Sequence, residues 1–163
     1  MADPSSSNPR SRKSKPARSL RSRALAILAR RENSRQELAA KLAPFAEDVA
    51  EIAELLDDFE RRGWLSEARV VEQVMASRRR RFGAGRIAFD LRGKGVSESA
   101  IAGAAERLKD SELDAARGVW QRKFGKRAGN ATERARQIRF LQGRGFALET
   151  ALRVVTSAAD ADA

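Results

Sequence analysis

The 163-residue chain has no histidine, no cysteine and no tyrosine. Their absence excludes zinc-finger ligand sets, thiol nucleophiles, iron–sulfur ligation, Ser-His-Asp triads and any disulfide framework. Only Asp, Glu and Lys remain for acid–base chemistry, and a cysteine-free chain is compatible with a reducing cytoplasm. Long apolar runs are missing too. A membrane span needs roughly 18 nearly uncharged apolar residues, and the basic N-terminus lacks the apolar core of a signal peptide, so neither is expected. Val, Ile and Thr together supply 16 residues against 30 Ala. Alanine favours helix and β-branched residues favour strand, which points to an all-α chain with thin cores.

Positive charge is abundant: 33 Lys and Arg face 22 Asp and Glu, a net charge of +11. Such an excess argues for a partner that carries phosphates or acidic surface. Residues 1–18 hold three of the four prolines, the run Ser5-Ser6-Ser7 and five basic residues from Arg10 to Arg18, and are read as a disordered basic arm. The alternating Ala and Asp of residues 158–163 are read as a frayed tail.

Between them, helical periodicity and cap signals predict nine helices. The first, Ser19 to Arg31, places Leu25 and Leu28 on one face. Ser34 with Glu37 forms a capping box for the second, Arg35 to Ala43, which Pro44 stops. The third, Ala46 to Arg62, carries Val49, Ile52, Leu56 and Phe59 on one stripe. Gly63 would close it in a left-handed conformation, with Trp64 and Leu65 folding back on its last turn. Ser66 caps the fourth, Glu67 to Phe82, with Val70, Val71, Val74 and Met75 inward. The fifth spans Arg86 to Gly93 and the sixth, capped by Ser97, spans Glu98 to Lys109. Ser111 with Asp114 caps a seventh whose inward residues are Leu113, Ala116, Trp120 and Phe124. The eighth is Ala131 to Gly143, and the ninth carries Leu148, Ala151, Leu152 and Val155.

Leu38, Leu91 and Leu141 begin similar apolar-x-x-basic-x stretches at separations of 53 and 50 residues. A period near 50 suits tandem helical units, each covering a neighbour's exposed face. Chance similarity between short helices is the rival explanation. The expected units are residues 19–64, 65–110 and 111–157.

The motifs of an enzyme are mostly absent. Gly93-Lys94 has Ala88 where the first glycine of a phosphate-binding loop should stand. The triplets Gly83-Ala84-Gly85, Gly93-Lys94-Gly95 and Gly143-Arg144-Gly145 sit at helix ends, where cap and hinge duties explain them. Glu47, Asp48, Glu51, Glu54, Asp57 and Asp58 on the third helix could in principle bind Mg²⁺, but their interleaving with core positions describes a solvated face. No catalytic residue, metal ligand or cofactor is assigned. Trp64, Trp120, Phe82 and Phe146 offer base-stacking surfaces, though spacing makes Trp120 a core residue and Trp64 and Phe146 staples beside cap glycines.

Two basic stretches stand out. Arg78, Arg79, Arg80 and Arg81 would spread over about 300° of a helix, so at least two must reach solvent, near Arg86, Arg92 and Lys94. The second stretch is Arg122, Lys123, Lys126, Arg127, Arg134, Arg136, Arg139 and Arg144. These fifteen residues are the candidate partner- or DNA-binding surface.

Certain stretches together are similar to the RecX family of recombinase modulators. They are Arg23-Ala24-Leu25 with Arg30-Arg31, Ser34-Arg35-Gln36-Glu37-Leu38 with Lys41-Leu42, Gly63-Trp64-Leu65 with Arg69, Phe82-Gly83 with Arg86-Ile87, Leu91 with Lys94-Gly95-Val96, Arg122-Lys123-Phe124, and Phe140 to Phe146. The resemblance covers Arg23 to Val155 and departs at Ala84, where the family usually has proline. It implies three tandem three-helix repeats in an elongated, curved array. It also implies binding to the RecA recombinase along its nucleoprotein filament, with contacts that include single-stranded DNA. The consequence would be suppression of strand exchange and ATP hydrolysis without catalysis by the chain itself. A cytoplasmic location follows from that partner, and neither a membrane nor a small-molecule substrate is implied. The competing expectations are a general nucleic-acid-binding helical protein, such as a transcription or chromosome-associated factor, and a Mg²⁺-carboxylate nuclease.

Overall fold

The computed structural model describes residues 18–160, so the basic arm up to residue 17 and the last three residues of the expected frayed tail lie outside the described residues. Eight α-helices follow one another: α1 Leu20–Leu28, α2 Arg35–Leu42, α3 Val49–Arg61, α4 Glu67–Arg78, α5 Ala84–Gly93, α6 Glu98–Lys123, α7 Ala131–Gly143 and α8 Leu148–Asp160. A short 3₁₀ turn, Ala43–Phe45, carries Pro44 and separates α2 from α3. Among the described residues there is no strand.

The helix starts follow from local chemistry. The Ser34 hydroxyl accepts from the Glu37 N–H while the Glu37 carboxylate accepts from the Ser34 N–H, completing the capping box. Ser66, Ser97 and Asn130 each accept an N–H from the first turn of α4, α6 and α7. The N-terminus of α5 has no cap from Gly83; instead Glu112, on α6, accepts from the Ala84 N–H at 3.0 Å. A negative carboxylate at a helix N-terminus also complements the helix dipole.

Eight helices replace the expected nine because α6 is unbroken. Ser111 does not cap. Its hydroxyl donates to the Leu108 carbonyl at 3.3 Å, inside the helix. No glycine or proline lies between Ala104 and Arg117 to interrupt the ladder. At 1.5 Å per residue the 26 residues of α6 span about 39 Å.

That length lets α6 serve two of the three buried clusters. The first cluster joins Leu20, Ala24, Leu38, Leu42, Ile52, Leu56, Phe59 and Leu65. The second joins Val70, Val71, Val74, Met75, Ile87, Leu91 and Val96 to Ile101, Ala104 and Leu108 in the first half of α6. The third joins Ala116, Val119 and Trp120 in its second half to Leu141, Phe146, Ala151, Val154 and Val155. Leu38, Leu91 and Leu141, aligned by the 53- and 50-residue separations, are each 0 % exposed.

Several residues of the expected apolar faces are exposed. Leu25, Leu148 and Leu152 are exposed, and Val49 is 81 % exposed because it opens α3 beyond the reach of the first cluster. On α8 the buried stripe takes Val154 in place of Leu152. Trp64 is half-exposed, with its ring edge-on to Phe59 at 5.4 Å, while Leu65 takes the buried position. Gly63 does adopt a positive φ of 70°.

The clusters are tied by a recurring junction. At the first, the Ser34 hydroxyl at the start of α2 donates to the Lys94 carbonyl in the α5–α6 turn, and the Lys94 ammonium pairs with Glu37 at 2.7 Å. Burial pushes the Glu37 carboxyl up, but hydrogen bonds from Lys94 and the Ser34 N–H, with the charges of Lys94 and Arg31, hold it below its ordinary value. At the second junction, the N–H groups of Gly83 and Gly85 at the start of α5 donate to the carbonyls of Arg144 and Gly145 in the α7–α8 turn, at 3.0 and 3.1 Å. Here glycine is required by space: a Cβ on Gly83 would lie 2.3 Å from the Gly145 oxygen, and one on Gly145, whose φ is +87°, would lie 2.4 Å from the Arg86 nitrogen.

Candidate functional site

The second junction also positions charge. Helix α4 ends at Arg78, four residues before the expected Phe82, and the chain turns: the Arg81 and Phe82 N–H groups both donate to the Arg78 carbonyl. The four arginines therefore do not fan around one helix. Arg80 and Arg81 stand in the turn beside the second half of α6, where Arg122 donates to the Arg80 carbonyl at 3.2 Å. From the other side, the glycine clasp brings in Arg144, at the end of α7.

The result is a cleft of about 560 Å³ lined by Arg80, Arg81, Val119, Arg122, Lys123, Phe140 and Arg144. Five cations face a space with no lining carboxylate. Low-dielectric walls with charge of one sign concentrate the field and favour an anion. Aromatic rings alternate with the cations. Arg144 lies over both Phe140 and Phe82, at 5.3 and 5.4 Å; Lys123 lies over Phe140 at 5.9 Å; and Arg86 bridges Phe82 and the exposed Phe89, each at 5.7 Å. Phe124 supports Phe140 edge-on at 5.3 Å. Cations held over aromatic faces beside a charged groove suit an unpaired nucleic-acid strand, whose phosphates and bases need both.

The other candidate residues fall elsewhere. Arg78 and Arg86 both pair with Asp90, at 3.0 and 3.2 Å. Arg92 pairs with Glu98 at 2.6 Å, a hydrogen-bonded contact that lowers the carboxyl pKa and raises that of the guanidinium. Lys94 belongs to the first junction. Arg79 lines a neighbouring cleft with Arg80, Arg122 and Asp114. Arg127 and Arg134 line a smaller one, of about 300 Å³, in which Arg134 donates to Thr156 at 3.1 Å. Arg136 shares the α7 face of Phe140 and Arg144 by its four-residue spacing. Arg139 is exposed on α7, and Lys126 is in the α6–α7 loop.

Of the stacking candidates, Trp120 and Phe146 are buried. Sequence reasoning missed Gln137, which is 5 % exposed. It accepts from the Trp120 indole N–H at 2.9 Å and donates to the Lys126 carbonyl at 3.3 Å. It thereby ties the basic loop to the third cluster.

Among the described residues, no group of three or more Asp or Glu stands where it could hold a metal ion, and no helix is long and apolar enough to cross a membrane. On the third helix, Asp58 is engaged by Arg21, Arg61 and Arg62, and Asp57 by Arg35.

A family model described as the third three-helix domain of RecX matches residues 110–155. A regulatory protein RecX of Leptothrix cholodnii is 48 % identical over 141 residues, covering 86 % of this chain and 90 % of its own. One from Ralstonia nicotianae is 41 % identical, covering 86 % and 88 %, and one from Chromobacterium violaceum is 39 % identical, covering 89 % and 94 %. The crystal structure of RecX from Lactobacillus salivarius has the same fold, with a TM-score of 0.75 at 14 % identity over 85 % of this chain and 94 % of that one.

Proposed function

Because the chain belongs to the RecX family of regulatory proteins, we propose that it is a non-enzymatic regulator that binds the RecA recombinase on its nucleoprotein filament and lowers its ATPase and strand-exchange activity. Family membership supports the regulatory role. The observation that supports a filament as its target is the carboxylate-free groove of Arg80, Arg81, Arg122, Lys123 and Arg144, built across the second and third clusters.

The mechanism is one of binding. Three units in tandem, with boundaries near residues 64/65 and 110/111, reach more than one recombinase protomer. Tethering them in one chain multiplies weak contacts through effective concentration. A filament so bridged is held in one geometry, and the inhibitor occupies the space a second DNA must enter. The groove cations contact the single strand or acidic recombinase surface. The protein works where the recombinase does, in the cytoplasm.

Co-sedimentation tests this reading. The chain is expected to pellet with recombinase filaments at lower protein concentration than with the same DNA alone. Equal pelleting with bare DNA would contradict a recombinase target and assign a general nucleic-acid-binding protein instead.

A further inference from the structure

The charge excess is concentrated at one end. Residues 1–31 carry nine Lys and Arg against one carboxylate, Asp3, and so account for +8 of the net +11. The described part of that segment forms a second cleft, remote in sequence from the groove above. It has a volume of about 560 Å³ and is lined by Arg18, Arg23, Ala26, Ile27, Arg30, Arg31, Lys41 and Phe45.

Five of those eight residues are cations and none is acidic. Among the described residues, Arg31 is the lining cation that reaches a carboxylate, Glu37, at 3.4 Å. Lys41 is held by the neutral Asn33 amide oxygen at 2.6 Å, and Arg23 donates to the Arg18 carbonyl at 3.1 Å, so among the described residues neither is compensated by a carboxylate. Asn33, 0 % exposed, donates in turn to the Arg31 carbonyl at 2.8 Å. Lys41 is thus fixed by a buried group.

The cleft has an aromatic face as well. Phe45, presented by the 3₁₀ turn that Pro44 stiffens, is 53 % exposed, and the Arg23 guanidinium stacks over its ring at 3.9 Å. Burying one face of Phe45 under a cation and leaving the rest open gives no packing advantage to the first cluster, which is complete without it. An aromatic ring, a stacked guanidinium and further cations are together what an unpaired base and its flanking phosphates require. An acidic protein surface would use the charges but not the ring.

We propose that this cleft is a second binding site for single-stranded nucleic acid, independent of the Arg80–Arg122 groove. A chain with two such sites can hold two points of a strand, or two strands. This site does not depend on the recombinase reading, and its test uses nucleic acid alone.

The test measures anisotropy of a labelled oligo-dT across a salt series with the full chain. Three variants accompany it: Arg23→Gln/Arg30→Gln in the cleft, Arg80→Gln/Arg122→Gln in the groove, and Phe45→Ala. All of these side chains lie outside the buried clusters, and circular dichroism verifies folding. Removing two cleft cations should reduce the log–log salt slope by about 1.4, at about 0.7 per phosphate. The groove pair should reduce it separately, and the two effects should add. Phe45→Ala should weaken binding about 5- to 150-fold, the range for losing one base–aromatic stack. An unchanged slope in the cleft variant would overturn the proposal. So would a cleft that loses slope on charge removal, is indifferent to Phe45→Ala and yields its oligonucleotide equally to poly-glutamate, because that pattern belongs to an acidic protein partner.

Discussion

Replacing Gly83 by alanine should part the second and third clusters while leaving each folded. The added Cβ would sit 2.3 Å from the Gly145 oxygen, 2.4 Å from its carbonyl carbon and 2.4 Å from the Phe146 nitrogen. All three are backbone atoms in a turn fixed by its own hydrogen bonds, from Gly145 N–H to Gln142 and from Phe146 N–H to Leu141. No flexible side chain can give way, so α5 must withdraw and the Gly83 and Gly85 hydrogen bonds are lost. Two such bonds contribute about 1–3 kcal/mol net. Separation also costs the packing of Phe82 under Arg144, for a total of about 2–4 kcal/mol. In a chain of this size that lowers the melting temperature by roughly 5–15 °C. Gly103, in mid-α6 with nothing within 4 Å of its would-be Cβ, is the control. Alanine there should stabilise by about 0.5–1 kcal/mol. Because the clasp brings Arg144 to Arg80 and Arg81, Gly83→Ala should also weaken binding of a single strand to the groove. Melts followed by circular dichroism, with hydrogen exchange at the start of α5, provide the readout. A Gly83→Ala protein that melts like Gly103→Ala, or keeps slow exchange at Gly83 and Gly85, would refute the steric argument.

Trp64→Ala should cost about 1–2 kcal/mol, well short of the 3–5 kcal/mol expected for the fully buried Phe59→Ala, since Trp64 is 40 % exposed and Phe59 is 0 % exposed; thermal melts of the two variants compare them. Gln137→Leu leaves the Trp120 indole N–H without its partner and should destabilise by about 1–3 kcal/mol, measured by urea titration. The first junction should be acid-sensitive. Glu37 is held below its ordinary pKa in the folded chain, so it contributes stability that is full above about 4.3 and is lost as pH falls through the lower folded value. Lys94→Met should flatten that part of the stability–pH curve.

The features legible in the sequence are those decided locally. The Ser34–Glu37 box, the serine caps of α4 and α6 and the positive φ of Gly63 each depend on a few consecutive residues, and all are found. Features decided by distant partners were not legible. Ser111 and Asp114 have the chemistry of a cap, but nothing nearby breaks α6, and the two clusters that share the helix hold it continuous. Val49 keeps the period of a core residue at a helix end with no cluster above it. Gln137 is polar and so reads as surface until the Trp120 indole is placed against it. The triplet Gly83-Ala84-Gly85 announces tight backbone, but not that Gly145 is what approaches.

The same distinction governs the site. A basic run counts charges without their partners, and Asp90, Glu98 and Glu37 occupy Arg78, Arg86, Arg92 and Lys94 from positions 4 to 57 residues away. The groove that remains draws Arg80, Arg81, Arg122, Lys123 and Arg144 from three segments. The cleft around Phe45 was not legible as a site, because its cations come from before α1 (Arg18), within it (Arg23), after it (Arg30 and Arg31) and from α2 (Lys41), and only the fold brings them to one ring.

Recombinase regulation through the groove is tested most directly by titrating the intact chain and the Arg80→Gln/Arg122→Gln variant into the DNA-dependent ATPase reaction of the cognate recombinase. The intact chain should lower the rate at or below one chain per recombinase protomer, without hydrolysing ATP itself. The variant, folded by circular dichroism, should need a several-fold higher concentration. An ATPase rate unaffected by an intact chain that still binds the DNA tightly would contradict recombinase regulation.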